Sequence, residues 1–209
     1  SLTSIVLPDC VKEIGYHTFW NCSRLTSVTI PESVTSIEEY AFFGIDNLTM
    51  ITIPKNVVRI GTFAFRECIS LTELTICEGV TTIGYEAFYY CKSLTSIELP
   101  YSLTTIGDYA FHGCLGLNSV SLPDTLSSIG EGAFSDCHYL WSIVLPKDLT
   151  MLPASMFKEC NALQNVVLPQ GLTEIGADTF SQCSSLSMVE LPDSLISIGT
   201  GAFANSGLS

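Results

Sequence analysis

The sequence predicts a solenoid, a fold in which short repeats stack one on the next. Leucine recurs every 23 residues from Leu2 to Leu186, which divides the 209-residue chain into nine repeats without insertion or deletion. Phenylalanine recurs with the same period, from Phe19 to Phe203. Self-similarity at a period of about 20 to 50 residues is typical of solenoids, whose repeats bury their apolar face only against their neighbours. We therefore expect residues 1–209 to form a single elongated domain.

Each repeat begins with a predicted strand. In residues 94–100 the pattern L-x-x-I-x-L-P places Ile97 and Leu99 on one face, because side chains alternate along a strand. Proline then ends the strand in every repeat but the fourth, where Cys77 replaces it, since proline lacks the N–H that a sheet needs. The outward strand positions carry mainly Ser, Thr, Val, Met and Glu, and we interpret them either as a β-forming surface or as a shallow docking groove.

A second short segment ends in an isoleucine that glycine follows in seven repeats, as in Ile83-Gly84. The glycine indicates either a turn or a close backbone approach that disfavours a Cβ. Glu38 replaces the glycine in the second repeat, and Pro153 replaces it in the seventh. The sequence does not predict the turn geometry of the seventh repeat.

The repeat closes with A-F-x-x-C-x-x-L, whose spacing of three predicts a single short helical or 3₁₀ turn. The phenylalanine of this motif is present in all nine repeats and is predicted to stack as a structural ladder. Its members are Phe19, Phe42, Phe65, Phe88, Phe111, Phe134, Phe157, Phe180 and Phe203.

Seven cysteines share one column and are predicted to form a second ladder of buried, free thiols. They are Cys22, Cys68, Cys91, Cys114, Cys137, Cys160 and Cys183. Neighbouring Cα atoms about 5 Å apart are within disulfide range, but stacked side chains project in parallel and a bridge would force one off its rotamer. We expect neither metal nor cofactor, because His17, His112 and His138 do not converge on the thiols.

The full motif, L-x-x-I-x-L-P-x-x-V-x-x-I-G-x-x-A-F-x-x-C-x-x-L, resembles the BspA-type or Treponema pallidum-type leucine-rich repeat over the entire chain. The resemblance implies a leucine-rich-repeat solenoid: a right-handed arc with a parallel β-sheet on the concave face and short 3₁₀ turns and strand segments on the convex face. Members of this family are commonly surface or secreted proteins of bacteria and some protozoa, and several are associated with adhesion to host matrix proteins or cells. The family brings no catalytic residues.

Composition excludes several classes of function. The net charge of −13 argues against binding of nucleic acid or of anionic membranes, because proteins that bind them carry clustered Lys and Arg. No apolar run approaches the roughly 18 residues of a transmembrane helix. No phosphate-binding loop, HExxH or GxSxG motif occurs. We expect a non-enzymatic protein-binding or adhesion module, and a structural spacer or self-association scaffold is the alternative.

Outward aromatic side chains around the closing motif are concentrated in the first five repeats. They are Tyr16, Trp20, Tyr40, Phe43, Phe63, Tyr85, Tyr89, Tyr90 and Tyr109. The same columns of repeats six to nine carry mainly Ala, Ser and Lys. These rings either pack on one another as an outer layer or form an exposed strip that binds a partner. On the second alternative, the nine residues are the candidate binding site.

The chain starts and stops inside a repeat, without the polar capping repeats that solenoids normally have. We therefore expect a fragment of a longer protein whose signal peptide lies outside this window. Such a protein would be at the cell surface or secreted, and the fragment could self-associate through its unsealed ends.

Overall fold

The computed structural model describes residues 2–208 as a parallel β-solenoid in which each 23-residue repeat forms one coil. The first strand of eight successive coils joins one sheet, here called the long sheet. Its strands are β1 (Ser4–Val6), β3 (Ser27–Thr29), β5 (Met50–Ile53), β7 (Glu73–Ile76), β9 (Ser96–Glu98), β11 (Ser119–Ser121), β13 (Ser142–Val144) and β15 (Asn165–Val166).

Neighbouring strands of the long sheet pair in parallel with a register of one repeat. Val120, for example, lies opposite Ile97 in the preceding coil and Ile143 in the following one. Each strand alternates as predicted, so that buried Ile97 stands between exposed Ser96 and Glu98. Because the spacing is constant, each residue lies opposite the equivalent residue of the neighbouring repeats. Equivalent apolar positions therefore form continuous rows in the core.

A second set of two-residue strands forms two shorter sheets. The first sheet contains β2 (Glu13–Ile14), β4 (Ser36–Ile37), β6 (Arg59–Ile60), β8 (Thr82–Ile83), β10 (Thr105–Ile106) and β12 (Ser128–Ile129). The second contains β14 (Met151–Leu152), β16 (Glu174–Ile175) and β17 (Ser197–Ile198).

The break between the two shorter sheets lies at the seventh coil, whose geometry the sequence left open. In other coils the residue after the second strand donates its N–H to the preceding coil, as Gly130 does to the Ile106 carbonyl at 2.8 Å. Pro153 occupies this position in the seventh coil and has no N–H to donate. The stacked phenylalanines are also furthest apart here, with 6.3 Å between the ring centroids of Phe134 and Phe157.

The glycines after the second strands are required by the close approach of neighbouring coils. A Cβ at Gly84 would lie 2.8 Å from the carbonyl carbon of Gly61 in the preceding coil. In the first coil, which follows no other in the chain, a Cβ at Gly15 would meet nothing nearer than 3.8 Å. Of the two predicted reasons for glycine, close approach is therefore the one that applies to this column.

The closing motif forms hydrogen-bonded turns, and no residue from 2 to 208 lies in an α- or 3₁₀-helix. The predicted helical turn fails because two residues in each coil have a left-handed backbone, such as Glu86 (φ 48°) and Tyr90 (φ 56°). A left-handed residue reverses the winding that a right-handed helix continues. Within the described residues, no helix has the length and apolarity needed to cross a bilayer.

These turns are joined by a backbone ladder that runs in one direction only. At each of the eight junctions between coils, three N–H groups of one coil donate to carbonyls of the next. Phe42 N–H, for example, donates to Ala64 O at 2.7 Å, and Phe65 N–H donates to Ala87 O at 2.7 Å. We call this ladder and its side chains the turn edge.

The phenylalanine ladder lies directly inside the turn edge. The seven rings from Phe42 to Phe180 are fully buried, and neighbouring rings of the whole ladder stack with centroids 4.8 to 6.3 Å apart. Phe19 is 5% exposed, and Phe203 in the last coil is partly buried. Each ring therefore packs against the ring above and below, as coil stacking requires.

The thiol column lies beside the phenylalanines, and all nine cysteines of the chain are free. Each buried thiol donates to the phenylalanine carbonyl of the preceding coil, as Cys68 Sγ does to Phe42 O at 3.1 Å and Cys91 Sγ to Phe65 O at 3.2 Å. Burial raises the pKa of the Cys68 thiol to about 12, so it stays protonated. Cysteine suits this column because it is a small hydrophobe that also satisfies a buried carbonyl.

Candidate functional site

The nine candidate aromatic residues all lie on the turn edge of the first five coils, and together they are called the aromatic surface. One row of rings runs from coil to coil with centroids 4.6 to 6.3 Å apart. In order, the row contains Tyr16, Tyr40, Phe63, Tyr85 and Tyr109. Several contacts are edge-to-face, such as Phe63 on Tyr85 at an interplanar angle of 90°, an arrangement that aromatic pairs favour.

Arg66 lies in the middle of the aromatic surface and connects this row to a second row, which contains Phe43 and Tyr89. Its guanidinium carbon is 4.2 Å from the Tyr89 ring centroid, 5.7 Å from that of Phe63 and 6.0 Å from that of Phe43. Such cation–π contacts strengthen as water is removed, and the Arg66 side chain is only 25% exposed. The guanidinium also forms an ion pair with the buried carboxylate of Glu86.

The aromatic surface combines the two alternatives that the sequence left open. Tyr16, Trp20 and Tyr85 are exposed, with relative accessibilities of 62%, 48% and 39%. The other members are half-buried by their neighbours: Tyr40, Phe43, Phe63, Tyr89, Tyr90 and Tyr109. The rings thus hold one another in place and still present apolar area to solvent.

Four members of the aromatic surface occupy a left-handed backbone conformation. They are Tyr40, Phe63, Tyr90 and Tyr109, with φ between 55° and 56°. This conformation costs an ordinary side chain about 1 kcal/mol or more, whereas glycine adopts it freely. Every coil has two such positions, and glycine fills them at Gly44 and Gly113 in the first five coils and at Gly132 and Gly201 in the later ones. The fold therefore imposes this conformation throughout, and the first five coils differ in that aromatic rings occupy four of the positions.

A polar cluster follows the aromatic surface at the junction of the fifth, sixth and seventh coils. The Tyr89 ring stacks on the His112 imidazole with centroids 4.6 Å apart. Burial lowers the pKa of His112, although Asp136 and Glu159 act in the opposite direction. Tyr109 donates from its hydroxyl to Glu131 at 2.8 Å, which raises the pKa of Tyr109 to about 12.

Sequence reasoning did not identify this cluster, which brings Asp136, His138 and Glu159 together beside His112. A signal was present, because Asp136 and Glu159 are one repeat apart and must stack in neighbouring coils. The histidines lie away from the thiol ladder. They point instead to the outer columns.

Other exposed hydrophobic side chains lie away from the aromatic surface, and those on the long sheet occupy strand positions that the sequence predicted to face outward. Tyr139, just before the seventh coil, is 69% exposed, and Trp141, at the start of that coil, is 55% exposed; no feature of the sequence singles out either residue. On the outward face of the long sheet, Val144 and Val167 are 58% and 82% exposed. The two valines are one repeat apart and line one shallow apolar cavity, but they include no aromatic ring.

Comparisons with known proteins agree with this architecture. The family model for the BspA type leucine rich repeat region matches residues 1–92 and 81–209. The crystal structure of the T. pallidum leucine rich repeat protein is 30% identical, with a TM-score of 0.74, and the match covers 88% of this chain and 78% of that one. No curated protein sequence matches the chain.

Two further solved structures are similar. A leucine rich cell surface protein from Faecalibacterium prausnitzii is 33% identical, with a TM-score of 0.65, and the match covers 98% of this chain but 57% of that protein. The pneumococcal vaccine antigen PcpA shares the fold at 20% identity, with a TM-score of 0.53 over 93% of this chain and 62% of that one.

The family model spans both halves of the chain, and the T. pallidum protein matches it over most of both lengths. Leucine-rich-repeat solenoids are typically binding scaffolds that offer an extended surface to other proteins. The chain therefore belongs to the BspA-type leucine-rich-repeat family.

Proposed function

We propose that this chain is a non-enzymatic protein-binding module of a cell-surface or secreted protein, and that it takes its partner on the aromatic surface. The observation that supports this most strongly is the linked set of aromatic rings in the first five coils, of which Tyr16, Trp20 and Tyr85 remain exposed. An exposed apolar patch of this kind is typical of an interaction surface.

The chemistry of the aromatic surface fits a protein partner. Trp, Tyr and Arg are the residues that most often dominate the energy of protein interfaces. Trp20, Tyr85 and Arg66 supply all three types within one connected surface. Because ring contacts already fix the side chains, binding would cost little additional side-chain entropy.

The family supports a partner in the extracellular environment, namely a host matrix protein or a cell-surface protein. The similar F. prausnitzii protein is described as a cell surface protein, and PcpA is described as a vaccine antigen. Adhesion at a cell surface is the role that we propose on this basis. A spacer or self-association scaffold is the competing role, and the same experiment distinguishes the two.

The proposal is tested by immobilising the chain and measuring its binding to matrix proteins and to whole cells. The double variant Tyr85→Ala/Tyr89→Ala removes one exposed ring and the ring nearest Arg66. We expect it to raise the Kd for any captured partner at least tenfold, as the loss of about 1.4 kcal/mol would.

A matched control removes two tyrosines elsewhere, in Tyr101→Ala/Tyr139→Ala, which are 76% and 69% exposed. This control should leave partner binding unchanged. Equal binding by both double variants would contradict the assignment to the aromatic surface. If no partner is captured, and size-exclusion chromatography shows a monomer, the spacer role would replace the binding role.

A further inference from the structure

We propose that His112, Asp136, His138 and Glu159 form a binding site for a divalent first-row transition-metal cation, next to the aromatic surface. One ligand atom each from Asp136, His138 and Glu159 lies within 4.8 Å of the others. His112 Nε2 lies 3.9 Å from Asp136 Oδ2, and His138 Nε2 lies 2.6 Å from Asp136 Oδ1. The four side chains come from three successive coils, so the fold itself brings them together.

Hydrogen bonding fixes His112 in the form that binds a metal. The Ser135 hydroxyl donates its proton to the carbonyl of Gly132 at 2.8 Å. Because the hydroxyl has one proton, assigning it to Gly132 O makes the imidazole the donor at the 2.7 Å contact between His112 Nδ1 and Ser135 Oγ. The neutral His112 ring therefore carries its lone pair on Nε2, which faces the Asp136 carboxylate. A buried N–H partner that orients a ligating imidazole is a usual feature of metal sites.

The arrangement collects negative charge and lone pairs without a cation to match them. Among residues 2–208, no Lys or Arg side chain makes an ion pair with Asp136 or Glu159. Glu159 accepts a hydrogen bond of 3.2 Å from the neutral amide of Gln182. Lys158 lines the same cavity of about 360 Å³, but it is not paired with either carboxylate.

The donor set identifies the class of ion. Two imidazole nitrogens with two carboxylates suit Zn²⁺ and its neighbours in the first row, whereas Ca²⁺ and Mg²⁺ prefer oxygen ligands alone. Metal–ligand bonds of about 2.0 to 2.2 Å place tetrahedral ligands roughly 3.3 Å apart. Asp136 lies 2.6 Å from His138 Nε2 and 3.9 Å from His112 Nε2. Small side-chain movements would bring both separations to this value. To bind the cation through Nε2, the His138 ring would give up the proton that it shares with Asp136. A neutral ring would take up a proton at Nδ1 from water in exchange, whereas an imidazolium would keep its Nδ1 proton and release one proton to solvent.

The neighbouring thiol is not a ligand. Cys137 lies between Asp136 and His138 in the sequence, but its Sγ points inward and donates to Phe111 O at 3.3 Å. The site also spans the junction of the sixth and seventh coils, where Pro153 breaks the shorter sheet. A bound cation would therefore connect two coils at the junction where the shorter sheets are interrupted.

The test is calorimetric titration of the chain with ZnCl₂ in a buffer without chelators. We expect one site, and we expect His138→Asn and Glu159→Gln each to weaken binding at least tenfold. Lys158→Met removes a positive charge from the cavity and should instead tighten binding two- to fivefold. Opposite effects of these variants separate a metal site from a loss of folding, which circular dichroism would check directly.

Three matched controls remove a histidine, an acid and the exposed thiol elsewhere: His17→Asn, Asp124→Asn and Cys10→Ser. All three should bind Zn²⁺ as the unmodified chain does. Titration with Co²⁺ should give a spectrum of nitrogen and oxygen ligands without a thiolate charge-transfer band. A Kd above about 1 mM, equal binding by the site variants, or loss of binding in Cys10→Ser would each overturn the proposal. The readout involves no protein partner and is therefore independent of the proposed binding function.

Discussion

The first five coils and the last four have the same interior and different outer columns on the turn edge. Phe88 in the fourth coil and Phe157 in the seventh are equally buried, and both pack between two other phenylalanines. Outside them stand Tyr89 in one region and Lys158 in the other. In this fold the inner columns hold the coils together, and the outer columns are free to differ, so binding surfaces can change without a change of architecture.

The largest expected effect tests whether the two interiors are equivalent. Phe88→Ala and Phe157→Ala each remove a fully buried ring, and each should lower the free energy of unfolding by about 3 to 5 kcal/mol. Urea unfolding followed by circular dichroism measures both. A difference between the two variants of more than roughly 1.5 kcal/mol would show that the regions are not equivalent, with the wider ring spacing at Phe157 as the first feature to examine.

An intermediate effect contrasts the ion pairs of the two regions. Arg66→Met leaves the buried carboxylate of Glu86 without its partner and should cost about 2 kcal/mol, less than a fully buried pair because Arg66 is 25% exposed. The matched control is Lys147→Met, whose pair with Asp124 is exposed and should contribute less than about 1 kcal/mol.

Thermal unfolding of both variants makes this comparison. The double variant Arg66→Met/Glu86→Gln should recover part of the loss, because the unpaired charge is gone. If Arg66→Met were no more destabilising than Lys147→Met, Arg66 would not hold the aromatic surface together as its contacts indicate.

The smallest expected effect concerns backbone strain on the turn edge. Ser155 in the seventh coil is left-handed at φ 56°, and Ser155→Gly should stabilise the chain by about 0.5 kcal/mol, the relief of strain less the entropy of glycine. Tyr40 has the same φ, but Tyr40→Gly also removes the contacts of its ring with Tyr16 and Phe63. That variant should therefore be destabilised.

Differential scanning calorimetry measures whether each variant, Ser155→Gly and Tyr40→Gly, raises or lowers the unfolding temperature. Stabilisation by Tyr40→Gly would mean that ring packing does not offset the strain. Packing within the fold would then not explain why an aromatic side chain occupies this position.

The stacking of this fold could be predicted from the sequence because a constant period fixes every neighbour. Ile97 must lie against Val120, and Phe88 against Phe111, once the coils are in register. The closing turn was predicted incorrectly as helical, since a spacing of three between Phe88 and Cys91 suits both a helix and two successive turns. Glu86 and Tyr90 are not residue types that favour a left-handed backbone. Their N–H groups donate to carbonyls of the next coil, and this pairing holds them in that conformation.

For the candidate sites, the sequence predicts which residues lie near one another but not which side chains are in contact. The column arithmetic places the aromatic residues on one edge, but only side-chain geometry shows that Arg66 joins their two rows. The same arithmetic would bring Asp136 beside Glu159. The position of His138 depends on the path of the chain after the turn, and the expectation of no metal rested on the thiol ladder alone.

The one-directional ladder of the turn edge has an electrical consequence. Its peptide groups line up head to tail in three rows, as they do along an α-helix, so their dipoles of about 3.5 D each add together. The N–H groups point toward the later coils, which places the positive pole at the C-terminal end, opposite to the polarity of a helix. At the turn edge, a head-to-tail meeting of two stacks would bring opposite poles together. The row of N–H groups after the second strands points the other way, as Gly130 does to Ile106 O, and offsets part of this dipole.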